Sequence, residues 1–144
     1  MALPPRTPVL VGVAQLEQRE RDPLRAKEPL ELMVEAVGLA AEDAGSRALL
    51  ARADGVRVIR GIWPYADPGR AIAQRVGAAQ AKTAITPFGG NFVQTALNST
   101  ALDIQSGAAD VVILTGAECG YSQARARRQG VKLRWSEAPG RPDL

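Results

Sequence analysis

Histidine is absent from this 144-residue chain, cysteine occurs once, and aromatic residues make up only 4%. Without histidine the chain cannot build a Ser-His-Asp triad, a Cys-His dyad or a histidine-bearing zinc site from its own residues. The lone Cys119 excludes an internal disulfide and leaves no CxxC pair, so no metal is expected. With so few aromatics, the core has to be made of Ala, Val, Leu and Ile. Long apolar runs are missing as well: none approaches the roughly 18 residues of a membrane span. The stretch "PVLVGVAQL" has neither the charged start nor the small-residue cleavage site of a signal peptide. The expectation is a cytoplasmic protein with no membrane partner. The formal charge is +3, with basic residues spread along the chain except near the C-terminus, and this gives no support for a nucleic-acid partner.

The 46% hydrophobic and 23% charged residues are those of a globular protein, and the length is that of one domain. Pro8 to Ala14 is a short valine-rich run, predicted to be a strand covered on both faces, and Gln15 to Lys27 reads as an exposed loop. From Pro29, the residues Leu30, Met33, Val34, Val37, Ala41 and Ala44 recur at helical spacing. Glu28, Glu31 and Glu35 sit near that helix's positive end, and Gly45 is a natural stop. Ser46 to Ala53 reads as a short helical turn and Gly55 to Ile62 as a strand. Asp67-Pro68 is an N-cap and first-turn pair for a helix reaching about Gly77 or Ala79, and Lys82 to Thr86 is a brief strand. The next helix places Phe92, Ala96, Leu97, Thr100, Ala101 and Ile104 on one face, is expected to be deeply buried, and ends at Gly107. Asp110 to Thr115 is an unbroken apolar strand. Strands alternating with helices give an α/β class, a mainly parallel sheet of βαβαβαβ order with helices on both faces. No GxGxxG follows the first apolar run, which sets aside a dinucleotide-binding domain.

The residues that bear on chemistry are Gly89, Gly90 and Asn91, at the start of the helix that begins near Phe92. Paired glycines let the backbone come close to a ligand, and a helix N-terminus offers free N–H groups and positive potential to an anion or oxyanion. The plain alternative is a tight turn with Asn91 as a helix cap.

On the segments "SGAADVVILTGAE" and "DPGRAIAQRVGA" the chain resembles the thiolases. The first is similar to the "AGDADVVIAGGME" type of segment that follows their nucleophile helix, and the second to their "NPARQAA"-like helix. The order of elements agrees from Pro8 to Glu118. Aligned without gaps back from Asp110, the family's catalytic cysteine falls on Gly90, so the nucleophile is absent. With the "GGN" turn in that place, the chain resembles thiolase-like proteins related to the sterol-carrier-protein type thiolases. The resemblance implies an acetyl-CoA acetyltransferase-like role in lipid metabolism, either acyl transfer or carbon–carbon bond chemistry without the acyl-cysteine step. The alternative is a non-catalytic subunit that holds acyl-CoA.

The same resemblance implies that residues 1–118 are an N-terminal half, that 119–144 begin an inserted basic loop segment, and that the chain is a partial N-terminal half. A homo-oligomer, a dimer by analogy, or the remaining thiolase half is the expected partner. The ligand is a coenzyme A thioester, with no covalently bound cofactor. Its phosphates would suit Arg125, Arg127, Arg128 and Lys132, and its adenine Trp135. The alternatives are a solvated basic face and a Trp packed against the domain. Cys119 lies one residue beyond the family's glutamate position, not at the nucleophile, and is expected to be an inert packed thiol.

Overall fold

A computed structural model describes residues 2–144. Helix α1 (Pro29–Asp43) opens with a capping box in which Glu28 and Glu31 satisfy each other's backbone N–H groups, and it ends before Gly45 at a φ of 78°. A 3-10 helix (Arg47–Arg52) leads into strand β1 (Gly55–Val58). Helix α2 (Pro68–Arg75) starts as its sequence requires, with Asp67 accepting the Arg70 N–H at 2.9 Å. It stops at Arg75, short of the predicted end. Strand β2 (Lys82–Ile85), helix α3 (Phe92–Ser106), strand β3 (Val112–Thr115) and helix α4 (Gly120–Gln129) follow. Gly107 ends α3 in the left-handed conformation, φ 84°. Helix α4 had no counterpart in the sequence reading.

The three strands form one parallel sheet of order β2-β1-β3, in which Val56 pairs with both Thr83 and Ile113. Side chains alternate across the sheet. Val56 and Val58 face α1 and α2 and are buried with Leu30, Met33, Val37 and Ile72. Arg57 points the other way, to α3, where its guanidinium pairs with Asp103 and donates to Ser99 and Thr100. The α/β class with helices on both faces is therefore observed. The two faces differ in kind, however: one is an apolar core and the other is held by a polar clamp.

Two expectations are corrected. Pro8 to Ala14 is not a strand: among the described residues the sheet has three strands, and this run joins none of them. Its Val9, Leu10, Val11 and Val13 are 58–76% exposed. The Val13 N–H goes to the Asp43 carboxylate at 2.8 Å rather than to a ladder partner. A cavity of about 320 Å³, lined by Leu10 to Ala14 on one side and Val111 to Gly116 on the other, lies where such a ladder would form. Helix α3 is also not deeply buried. Only Ala96 and Thr100 are enclosed, while Val93, Leu97 and Leu102 are exposed, because Arg57 occupies the sheet face that an apolar contact would need.

The segment after α4 turns back over the domain. Trp135 joins Tyr65 and Trp63 in an aromatic row with centroids 6.3 and 5.2 Å apart. The Ala138 carbonyl accepts the N–H groups of Ala66 and Asp67, and Leu144 donates its N–H to Thr83 at the outer edge of β2.

Candidate functional site

The carboxyl ends of parallel strands, next to the point where connections diverge to opposite faces, are where α/β sheets usually place ligands. An open pocket of about 450 Å³ lies there, lined by Ile59, Arg60 and Gly61 after β1, by Val93 in the first turn of α3, and by Leu114 to Glu118. Its walls are held by extensions of the ladder. Ile59 donates its N–H to the Thr115 carbonyl at 2.9 Å, and Arg60 donates its N–H to the Thr86 hydroxyl at 3.0 Å. Glu118 accepts the Ile62 N–H at 2.9 Å, and the Trp63 indole donates to the Ala117 carbonyl at 3.0 Å. Gly61 is required here, because a Cβ would stand 2.3 Å from the indole nitrogen and 2.7 Å from the Glu118 carboxylate.

Of the three turn residues read from the sequence, Gly89 has a φ of 147°, open to glycine alone, and an added Cβ would lie 2.8 Å from the Asn91 amide oxygen. Gly90 faces open space, with nothing within 4 Å of an added Cβ. Asn91 holds the N-cap position of α3 in the helical conformation, and its side chain makes no capping bond. The Phe92 and Val93 N–H groups turn back to the Gly89 and Gly90 carbonyls at 3.1 and 3.4 Å. Among the described residues the backbone N–H groups of Gly90 and Asn91 have no acceptor. Val93 connects the turn to the pocket, while Gly89, Gly90 and Asn91 stand just outside its lining.

Helix α4 separates the four basic candidates. Arg127 and Lys132 line a groove of about 580 Å³ together with Arg134, Trp135, Gln123 and Pro64. Arg125 is spent elsewhere: it donates to the Arg21 carbonyl and lies 5.6 Å over the Tyr121 ring. Arg128 is exposed outside the groove.

Cys119 is buried at the start of α4, with its thiol 3.5 Å from the Lys27 carbonyl. Burial, followed by the charges of Glu118 and Glu28, pushes the thiol up to about 11. Burial and this shift both disfavour the thiolate, in line with a packed thiol.

Sequence reasoning missed Arg60 and Gly61 because it carried the strand on to Ile62, whereas β1 ends at Val58 and leaves the pair beyond it. It placed Glu28 at the start of α1 but missed its burial and its junction, in which the carboxylate receives the Tyr65 hydroxyl at 2.8 Å and both the N–H and hydroxyl of Ser136. That contact joins residues 108 positions apart, and nothing local announces it. Burial, with the Glu28 hydrogen bond added, raises the Tyr65 hydroxyl well above its ordinary value. Among the described residues no helix is long and apolar enough to cross a membrane, and no group of three or more potential ligands could hold a metal ion.

The alternation of parallel strands and helices, with a glycine turn opening the helix beside the strand ends, is a thiolase-like α/β fold. One solved structure it is similar to is that of a monomeric SCP2-thiolase-like protein type 1 from Mycobacterium smegmatis, with a TM-score of 0.69 and 30% identity over 81% of this chain. The chain spans 24% of the length of that protein. No family model and no curated protein matches the sequence.

Proposed function

We propose that this protein binds acyl-CoA thioesters through a thiolase-like site that works without an acyl-cysteine. The observation that carries the reading is the groove in which Arg127, Lys132 and Arg134 converge beside Trp135. Guanidinium and ammonium groups suit phosphate oxygens, and an indole face suits a purine, so this set matches the nucleotide end of coenzyme A. The second support is the turn at Gly89, Gly90 and Asn91, which leaves backbone N–H groups and a helix N-terminus near the strand-end pocket. Those groups polarise a thioester carbonyl or steady an oxyanion, and a glycine at position 90 supplies no nucleophile.

Calorimetric titration of coenzyme A into the full chain tests this. Binding that weakens at least tenfold in the Arg127→Ala, Lys132→Ala double variant supports the reading, and no binding refutes it. A turnover reading is separated by an assay for acetyl-CoA release from acetoacetyl-CoA. Release that survives Cys119→Ser indicates carbon–carbon bond chemistry by another route, and binding without release leaves a carrier or accessory subunit.

A further inference from the structure

The strand-end pocket holds a cation with no partner. The Arg60 guanidinium makes no hydrogen bond and no ion pair among the described residues, although Glu118 lines the same pocket. Glu118 is instead engaged by the Ile62 N–H. The rest of the lining is apolar or small apart from Thr115, with Ile59, Val93, Leu114 and Ala117 as its walls. The base of the arginine is fixed, because its N–H is tied to Thr86 and the preceding Ile59 to β3. Arg60 is exposed and shares this lining with apolar walls, and a guanidinium so placed is a fork for a carboxylate at the far end of a short aliphatic chain.

We propose that Arg60 is the specificity-determining residue of this pocket and selects acyl groups that end in a carboxylate. The proposal rests on the thioester reading above, and it names the acyl class that the site takes. One guanidinium in a pocket that also holds the Glu118 carboxylate accommodates a single negative charge better than a phosphate dianion, which points to a monocarboxylate tail. The phosphates of the coenzyme have their own cations in the groove at Arg127, Lys132 and Arg134.

The test compares succinyl-CoA with butyryl-CoA, four-carbon acyl groups that differ in the terminal carboxylate, by calorimetry on the full chain. The expected result is that the wild type binds succinyl-CoA about tenfold more tightly, a difference of about 1.4 kcal/mol. Arg60→Ala should erase that preference, Arg60→Lys should keep part of it, and the distant control Arg75→Ala should keep all of it. Equal affinities in the wild type, or a preference that persists in Arg60→Ala, would overturn the proposal. Amide shifts on adding free succinate or butyrate provide a separate arm. If neither thioester binds but succinate alone moves residues 59–61 and 114–118, the thioester reading falls and the carboxylate assignment stands. If succinate moves nothing there, both fall.

Discussion

Arg57 is the side chain on which the thinner face of the molecule depends. It sits in the central strand, its side chain only 12% exposed, and every partner it has lies on α3. Truncation would leave Asp103 and Thr100 without their donor and uncouple the helix. Arg57→Ala is expected to cost about 1–3 kcal/mol in urea denaturation, with Arg57→Lys falling between it and the wild type because a single ammonium nitrogen cannot reproduce the two guanidinium nitrogens that reach Asp103 and the two hydroxyls separately. Cys119 should behave in the opposite way, as a group that does little. With its thiol near 11, alkylation by iodoacetamide at pH 8 should run on the order of 100-fold slower than that of a free thiol. A rate equal to that of glutathione would show the site to be open. At these positions the sequence is informative only where the cause is local. Gly89 was legible because a left-handed turn needs glycine. The role of Arg57 was not, since "GVRVIRGI" reads the same whether the arginine meets water or an aspartate from a helix more than forty residues later.

The elements that formed as expected carry their own punctuation. Asp67-Pro68 opens α2, and Gly45 and Gly107 close α1 and α3 in left-handed conformations. The Asp67 cap is buried and also receives the Thr83 hydroxyl from β2 at 3.0 Å. Asp67→Ala should therefore lower stability by about 1–2 kcal/mol, more than an exposed cap would, as read by thermal unfolding. The valine-rich run at 8–14 failed as a strand for the complementary reason: β-propensity records fit to a neighbouring strand, and a cavity separates this run from the outer edge of β3. A pair of substitutions measures the difference. Val11→Ala should change stability by less than about 0.5 kcal/mol, whereas Ile72→Ala, in the packed face of α2, should cost about 2–4 kcal/mol. The exposure of α3 was hidden in the same way. An amphipathic pattern shows which side of a helix is apolar, not whether a charged residue in the sheet will keep that side from closing.

As a whole, the molecule is bound together by backbone-to-carboxylate contacts at points where the chain returns on itself. Asp54 accepts the N–H groups of Val111 and Asp110 ahead of β3, and these hold its carboxyl below the ordinary range. Asp143 accepts the Thr83 N–H, with Arg70 beside it, and is lowered in the same direction. Because both are lowered by folding, their contribution is fully present above the unfolded value of about 4 and is lost as pH falls through the folded values. Urea midpoints should thus fall between pH 5 and pH 2.5, and Asp54→Asn should flatten that fall while lowering stability at pH 7. The α/β class and the glycine turn were legible because hydrophobic period and turn chemistry are properties of neighbours in sequence. The strand-end pocket, the basic groove and the Glu28 junction were not, since each needs residues brought together from distant segments.

The thiolase-like character of the turn is tested most directly by placing a thiol where the alignment puts the family's nucleophile. Gly90 has room for it, with no atom within 4 Å of the new Cβ. In a Cys119→Ser background, the pH dependence of alkylation of Gly90→Cys reports the pKa of that thiol alone. Helix N–H groups and positive potential at the start of α3 should bring it at least a unit below the ordinary value of about 8.5. A thiol that titrates at the ordinary value or above it would show that the turn carries no anion-stabilising site.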